Sequence, residues 1–224
     1  MKRLLALITV LFAALNIWAQ IPYFAETIGD GRVYAYTSIK FRPGNNGIEN
    51  YTNFAYGIGK HIQVGLDLYA SSIPAATVEW GYTFRFNAFS SNYFSIGGQE
   101  TAFFNLLDSH RFSKNQFMLI MSGSFLPNGR FMWSSNTFWN WARSGQHDFE
   151  QNWNIGYNFA LGEKAGSLMP MIGCSHSWRF EEAPVPAAGI VYSYKWLSAY
   201  LWCDRWLNTD PRVVCSLEVT IPTR

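Results

Sequence analysis

The feature that most restricts the fold of this chain is a regular alternation of apolar with polar or small side chains. In residues 76–86, every second residue from Ala76 to Phe86 is apolar, while Glu79 and Arg85 are among the residues between them. Successive side chains of a β-strand point to opposite faces, so this pattern predicts a strand with one apolar face. About 9–11 residues are enough for a tilted strand to cross a membrane. The segment is therefore predicted to be a membrane-crossing strand.

The same alternation recurs along the chain and predicts an all-β, antiparallel transmembrane barrel of about 12 strands, with 10 to 14 allowed. The predicted strands cover residues 33–41, 51–58, 62–71, 76–86, 93–104, 116–126, 131–141, 152–161, 168–178, 187–194, 197–205 and 213–221. Shorter connections are predicted on one rim and longer ones on the other, with the tight connection at 72–75 as an exception.

Composition favours a membrane environment over a soluble one. Charged residues make up 14% of the chain and aromatic residues 18%, a balance that suits a lipid-facing β surface with aromatic belts. After the N-terminus, no apolar run approaches the roughly 20 residues of a spanning helix. A helical membrane protein is therefore not expected.

The N-terminus is typical of a cleaved signal peptide, predicted at residues 1–19. Lys2 and Arg3 precede a short apolar core that begins at Leu4. Residues 20–224 are then predicted to form a single barrel domain. Without Lys2 and Arg3 the formal charge is 17 − 2 − 15 = 0, so no nucleic-acid partner is expected.

With its signal peptide, alternating strands and aromatic-rich strand ends, the chain resembles bacterial outer-membrane β-barrels as a class. The resemblance implies a place in the outer membrane of a Gram-negative-type bacterium, in contact with its lipid. Several tryptophans near predicted strand ends are interpreted as a girdle among the lipid headgroups: Trp133, Trp139, Trp141, Trp153, Trp196 and Trp206. Trp202 could instead face inward and stack on a sugar.

Asp67 and Glu79 are predicted to be inward-facing neighbours, because they are symmetric about residue 73 in the connection between two strands. Facing carboxylates repel unless a cation intervenes. Three interpretations remain open: Arg85, Lys40 or another base neutralises the pair, the pair selects permeating cations, or it serves as an acid/base site.

A ladder of amides is also predicted to face the lumen. Asn152, Asn154 and Asn158 lie on one strand, with Ser134, Asn136 and Asn140 on the strand before. Amides can hydrogen-bond a solute or one another. The full set of candidate pore-lining residues is Lys40, Asp67, Glu79, Arg85, Asn136, Asn140, Asn152, Asn154 and Asn158.

The cysteines and histidines suggest no metal site and no cofactor. Cys203 and Cys215 are symmetric about residue 209, which predicts that they lie opposite each other, either as a disulfide or as two lipid-facing thiols. No histidine spacing matches a metal motif. Ser175-His176-Ser177 also lacks the spacing of outer-membrane phospholipases, which disfavours a lipid-modifying enzyme.

The preferred function is a narrow channel for passive passage of small polar solutes. A barrel of about twelve strands lies between filled eight-stranded forms and open porins. Two alternatives remain. One is a structural or surface-interaction barrel that uses the loops near 44–47 and 109–114, and the other is a membrane-embedded lipid-modifying enzyme.

Overall fold

In a computed structural model, which describes residues 23–42, 47–72, 76–177, 184–204 and 211–223, the chain forms an antiparallel β-barrel. The strands are β1 Arg32–Arg42, β2 Gly47–Ile58, β3 Ile62–Ser71, β4 Thr77–Ser90, β5 Ser95–Asn105, β6 Arg111–Ser124, β7 Phe131–Ala142, β8 His147–Tyr157, β9 Phe159–Gly162, β10 Gly166–Ser177, β11 Val185–Tyr194, β12 Leu197–Asp204 and β13 Arg212–Pro222.

Neighbouring strands pair all the way round, and β1 closes the barrel by pairing with β13. β8 and β9 follow each other with only Asn158 between them, and both pair with β10. They are two parts of one wall strand, so the barrel has 12 strands in its wall. The predicted all-β barrel is confirmed.

The predicted faces are confirmed in β3 and β4. In β3, the outward Leu66 is 59% exposed, whereas the inward Asp67 is 1% exposed. The outer surface carries a large set of exposed apolar side chains, including Val78, Tyr82 and Phe84 of β4. Alternation therefore places the apolar face outside and the polar face inside.

The two rims can be distinguished by the chain ends. At the terminal rim, where β1 begins and β13 ends, the backbone N–H of Thr223 donates to the carbonyl of Gly31 at 2.9 Å. The opposite, distal rim carries the connections that follow β1, β3, β5, β7, β10 and β12. The connections predicted to be short, such as residues 59–61 and 195–196, lie at the terminal rim.

Some strand ends differ from the prediction. β2 begins at Gly47 rather than residue 51, and β6 begins at Arg111 rather than 116. The reason is that outward polar residues, among them Asn50 and Asn115, interrupt the apolar pattern without ending the strand. Asn50 satisfies its amide by donating to the carbonyl of Ser38 at 3.1 Å.

Both predicted cross-strand pairs are wrong. Asp67 lies opposite Gly81, and Glu79 lies opposite Tyr69. Cys203 lies opposite Val213 rather than Cys215, and both cysteines are free. In each hairpin the register is displaced by two residues, which preserves the predicted face and changes the partner. A pattern of period two cannot detect such a shift.

Parts of the prediction lie outside the described residues: the signal peptide at 1–19, loop residues 44–46 and Trp206. Within the described ranges, no helix is both long and apolar enough to cross a membrane.

Candidate channel lumen

The interior of the barrel is mainly polar on the side formed by β1 to β5. Side chains of these strands that are less than 10% exposed include Ser38, Asn53, Gln63, Asp67, Glu79, Thr83, Gln99 and Thr101. The opposite side is apolar in part, because Met171, Ala187, Val191, Trp202 and Val214 pack into a cluster. The polar lumen is therefore narrower than the barrel.

A chain segment preceding β1 enters this lumen from the terminal rim. We call residues 23–30 the plug. Its backbone is held by side chains of the barrel wall: Arg85 donates to the carbonyls of Phe24 and Glu26, and Asn87 Nδ2 donates to the carbonyl of Ala25 at 3.0 Å. The N–H of Ala25 donates in turn to Ser122 Oγ at 2.9 Å. Ala25 is 0% exposed, so the plug is seated inside the barrel.

Further contacts hold the plug near the rim. Ser95 Oγ donates to Glu26 Oε1 at 2.7 Å, and Thr27 Oγ1 donates to the carbonyl of Lys60 at 2.8 Å. Gly57 allows a close approach, since a Cβ at this position would overlap the carbonyl oxygen of Gly29. Near the rim the plug is thus held partly through the side chains of Glu26 and Thr27, whereas deeper in the lumen it is held through its backbone.

Two cavities of about 310 Å³ each lie along the lumen. The inner cavity, towards the terminal rim, is lined by residues that include Arg32, Tyr34, Gln63, Arg85, Tyr200 and Glu218. The outer cavity, towards the distal rim, is lined by residues that include Lys40, Glu49, Tyr69, Lys114, Asn140 and Arg212.

Tyr23, Tyr36 and Tyr51 line both cavities and form the layer between them. The ring centroids of Tyr36 and Tyr51 are 6.0 Å apart. The Tyr23 ring packs edge-on against the Phe138 ring, with 6.1 Å between their centroids. Burial raises the pKa of the Tyr23 phenol above its ordinary value, so this plug residue stays neutral at physiological pH. The layer between the two cavities is thus aromatic.

The outer cavity contains ion pairs that place carboxylates deeper than cations. Lys114 Nζ lies 2.8 Å from Glu79 Oε2, and the two side chains are 35% and 3% exposed. Lys40 Nζ lies 3.6 Å from Glu49 Oε2, with exposures of 29% and 11%. Arg212 pairs with Asp204, which is fully buried. Because the lysines are the more exposed members of these two pairs, the accessible surface of the outer cavity is more positive than the net charge of the pairs, which is zero.

Asp67 has a different environment from Glu79. It accepts hydrogen bonds from the hydroxyls of Tyr51 and Thr83 and from Asn53 Nδ2, the last at 2.9 Å. These donors are neutral, and the structure shows no cation within ion-pair distance of Asp67 among the described residues. Of the two bases named from the sequence, Arg85 holds the plug and Lys40 pairs with Glu49. The interpretation that another base neutralises the carboxylates holds for Glu79, whose partner is Lys114, and not for Asp67.

The structure separates the predicted pore-lining residues into groups. Lys40 and Asn140 line the outer cavity, and Arg85 lines the inner one. Asn136, Asn152 and Asn154 face inward but are at most 3% exposed, so they pack against the barrel wall and do not border an open cavity.

The predicted amide ladder ends before Asn158. This residue is at the break between β8 and β9, where its N–H donates to the carbonyl of Arg130.

Sequence reasoning missed the plug, the tyrosine layer and the cations Lys114 and Arg212. The alternating pattern could have identified Lys114, which shares the inward face of β6 with Gln116. The plug carries no comparable pattern. Trp202 does face inward, but it is 0% exposed and its ring is not accessible to a sugar in this state.

Two observations concern the metal and phospholipase motifs considered from the sequence. No cluster of three or more His, Cys, Asp and Glu side chains that could hold a metal ion occurs among the described residues. Ser175 and His176 are consecutive residues of β10, so they point to opposite faces of the wall and cannot act together.

No family model matches the sequence, and a search of curated proteins finds no match. Solved structures, however, share the fold at low identity. The KdgM porin aligns over 83% of this chain and 98% of its own, with 8% identity and a TM-score of 0.61. The NanC porin aligns over 83% and 98%, with 8% identity and a TM-score of 0.56. The chain therefore has the closed barrel architecture of outer-membrane porins, as the sequence predicted.

Proposed function

We propose that this protein is an outer-membrane channel for passive passage of small polar solutes and that the plug closes it in the described state. The observation that carries this proposal is the pair of cavities, one towards each rim, that share a layer of three tyrosines. Because Tyr23 belongs to the plug, moving the plug would remove one side of that layer. The two cavities would then join into one lumen.

The wall contacts of the plug suit a segment that can leave. Most of them are hydrogen bonds between polar side chains of the wall and backbone atoms of the plug, which water can replace when the segment moves. Tyr23 adds apolar contact with Phe138, and Ala25 packs beside Met118 and Ile120. We infer that the closed state is favoured but reversible.

We infer that the permeating solutes are small, hydrophilic and neutral or anionic. Lys40 and Lys114 are the more exposed members of their ion pairs. The amides of Gln116 and Asn140 line the same outer cavity. One of the similar structures is described as the KdgM porin in complex with disordered oligogalacturonate, which is a polar and acidic solute. The two supports are independent of each other.

Planar-bilayer recording of the refolded chain tests the channel. We expect a low open probability with brief openings, and we expect the openings to become frequent when residues up to 30 are removed. A truncated barrel that migrates as a folded protein but never conducts would contradict the proposal.

A second candidate is a barrel with a structural role and no conduction. The observation that favours it is the partly filled interior, in which Phe24 of the plug packs against the cluster around Trp202 and Ala25 packs beside Met118 and Ile120. The truncated chain distinguishes the two functions, because a purely structural barrel remains closed after the plug is removed.

The remaining parts of the proposal concern export and location. We infer that residues 1–19 are removed as a signal peptide and that residues 20–224 act as one domain in the outer membrane. The porin-like fold and the apolar outer surface support this location.

A further inference from the structure

A carboxylate lies on the outer, lipid-facing surface at the middle of the barrel wall. Glu100 is the central residue of the 11-residue strand β5, and its side chain is exposed. It lies opposite Phe84 on one side and Phe117 on the other. Both phenylalanines belong to the exposed apolar surface, at 41% and 42% exposure. The carboxylate is therefore surrounded by side chains that face lipid.

Among the described residues, Glu100 has one hydrogen-bond partner, which is also on the outer face. Asn115 of β6 donates from Nδ2 to Glu100 Oε1 at 2.9 Å. An amide nitrogen carries two hydrogens, so this contact leaves one donor. Asn115 Oδ1 is buried and has no hydrogen-bond partner among the described residues. The pair thus has one donor and at least one acceptor without a hydrogen-bond partner among the described residues.

Hydrocarbon cannot satisfy these groups. Ionisable residues are rare on lipid-exposed surfaces, and a charge there is most costly near the middle of the bilayer. Inward-facing acids of this barrel are paired with bases or hydrogen-bonded, as Glu79 is to Lys114. Glu100 and Asn115 therefore favour a protein surface over lipid as their environment.

We propose that this surface, formed by the outer faces of β5 and β6 around Glu100, associates with a second copy of the chain. A two-fold contact requires a patch that complements itself. The patch meets that requirement, since the spare amide hydrogen of Asn115 in one copy can bind the carboxylate of Glu100 in the other.

The shape of β5 permits such an approach. The residues two positions before and after Glu100 on the same face are Gly98 and Ala102, which are both small and buried. β5 itself therefore contributes no bulky side chain on either side of the carboxylate, and the ring of Phe86 lies over Gly98. The exposed rings of Phe84 and Phe117 provide apolar contact on either side.

Cysteine cross-linking in lipid vesicles tests the proposal. In a chain whose three cysteines are replaced by alanine, Phe117→Cys should form a disulfide-linked dimer under oxidation. Leu66→Cys is the matched control, because it is also apolar, outward and exposed but lies on β3. It should cross-link at least about tenfold less.

The polar pair is tested separately. Adding Glu100→Leu or Asn115→Leu to Phe117→Cys should reduce the dimer at least about tenfold while the barrel stays folded, since each variant places an apolar side chain towards lipid. Heat-dependent migration on electrophoresis checks folding. Equal cross-linking of Phe117→Cys and Leu66→Cys would overturn the proposal, as would a dimer unaffected by Glu100→Leu. Cross-linking in native membranes only to a different protein would also overturn it.

Discussion

Arg85 is the residue whose removal should most clearly release the plug. Its guanidinium donates to the carbonyls of Phe24 and Glu26, and it lies in the wall of the inner cavity. Arg85→Met keeps a long side chain and removes every donor. We therefore expect the seated plug to lose stability while the barrel remains intact.

The size of the effect follows from the two contacts. A hydrogen bond from a charged donor contributes roughly 1.5–3 kcal/mol. Water partly replaces what is lost, so we take about 3 kcal/mol for both contacts together. Since about 1.4 kcal/mol corresponds to a factor of ten, the ratio of open to closed channels should rise on the order of 100-fold.

Single-channel recording measures this ratio directly. Arg32→Met is the matched control, because Arg32 lines the same cavity but donates no hydrogen bond to the plug in the described structure. It removes the same charge and should leave the open probability within about threefold of the native value, the range of a weak surface contribution. Equal open probabilities for the two variants would refute the assignment of Arg85 as the residue that holds the plug.

Three further results are expected. Gly57→Val should raise the open probability by forcing Gly29 away, and it should have no added effect in a chain that lacks the plug; an additive effect would contradict this cause. Replacing Lys40 and Lys114 with glutamine should shift the reversal potential towards cation preference, because these lysines are the exposed members of their pairs; an unchanged potential would exclude them as selectivity residues. The carboxylate filter predicted from sequence is tested by replacing Asp67 with Asn and Glu79 with Gln. This double variant should lose less cation preference than the lysine double variant gains, since both carboxylates are almost fully buried. A larger loss would support the carboxylate filter.

The sequence predicted the wall of the barrel well, because alternation is a direct consequence of strand geometry. It assigned Val78 and Phe84 to the outside and Glu79 to the inside, as the structure shows. It could not determine the register, since a displacement by two residues leaves each side chain on its face. The predicted pairing of Asp67 with Glu79 was wrong for this reason.

The interior was less predictable for a different reason. Lys114 reaches Glu79 across an intervening strand, and no spacing along the chain encodes such a contact. The plug is held mostly through backbone atoms. Its position in the lumen therefore could not be predicted from its side chains. The predictions for residues 1–19, for the domain range 20–224 and for the pore-lining set as a group remain predictions.

Uptake of a small polar solute into vesicles tests the central claim most directly. Vesicles that contain the full chain should take up a neutral or anionic sugar slowly, and vesicles that contain a chain beginning at residue 31 should take it up at least about tenfold faster, because the two cavities then form one lumen. If the truncated barrel is folded and its vesicles remain as impermeable as protein-free ones, the barrel is not a channel.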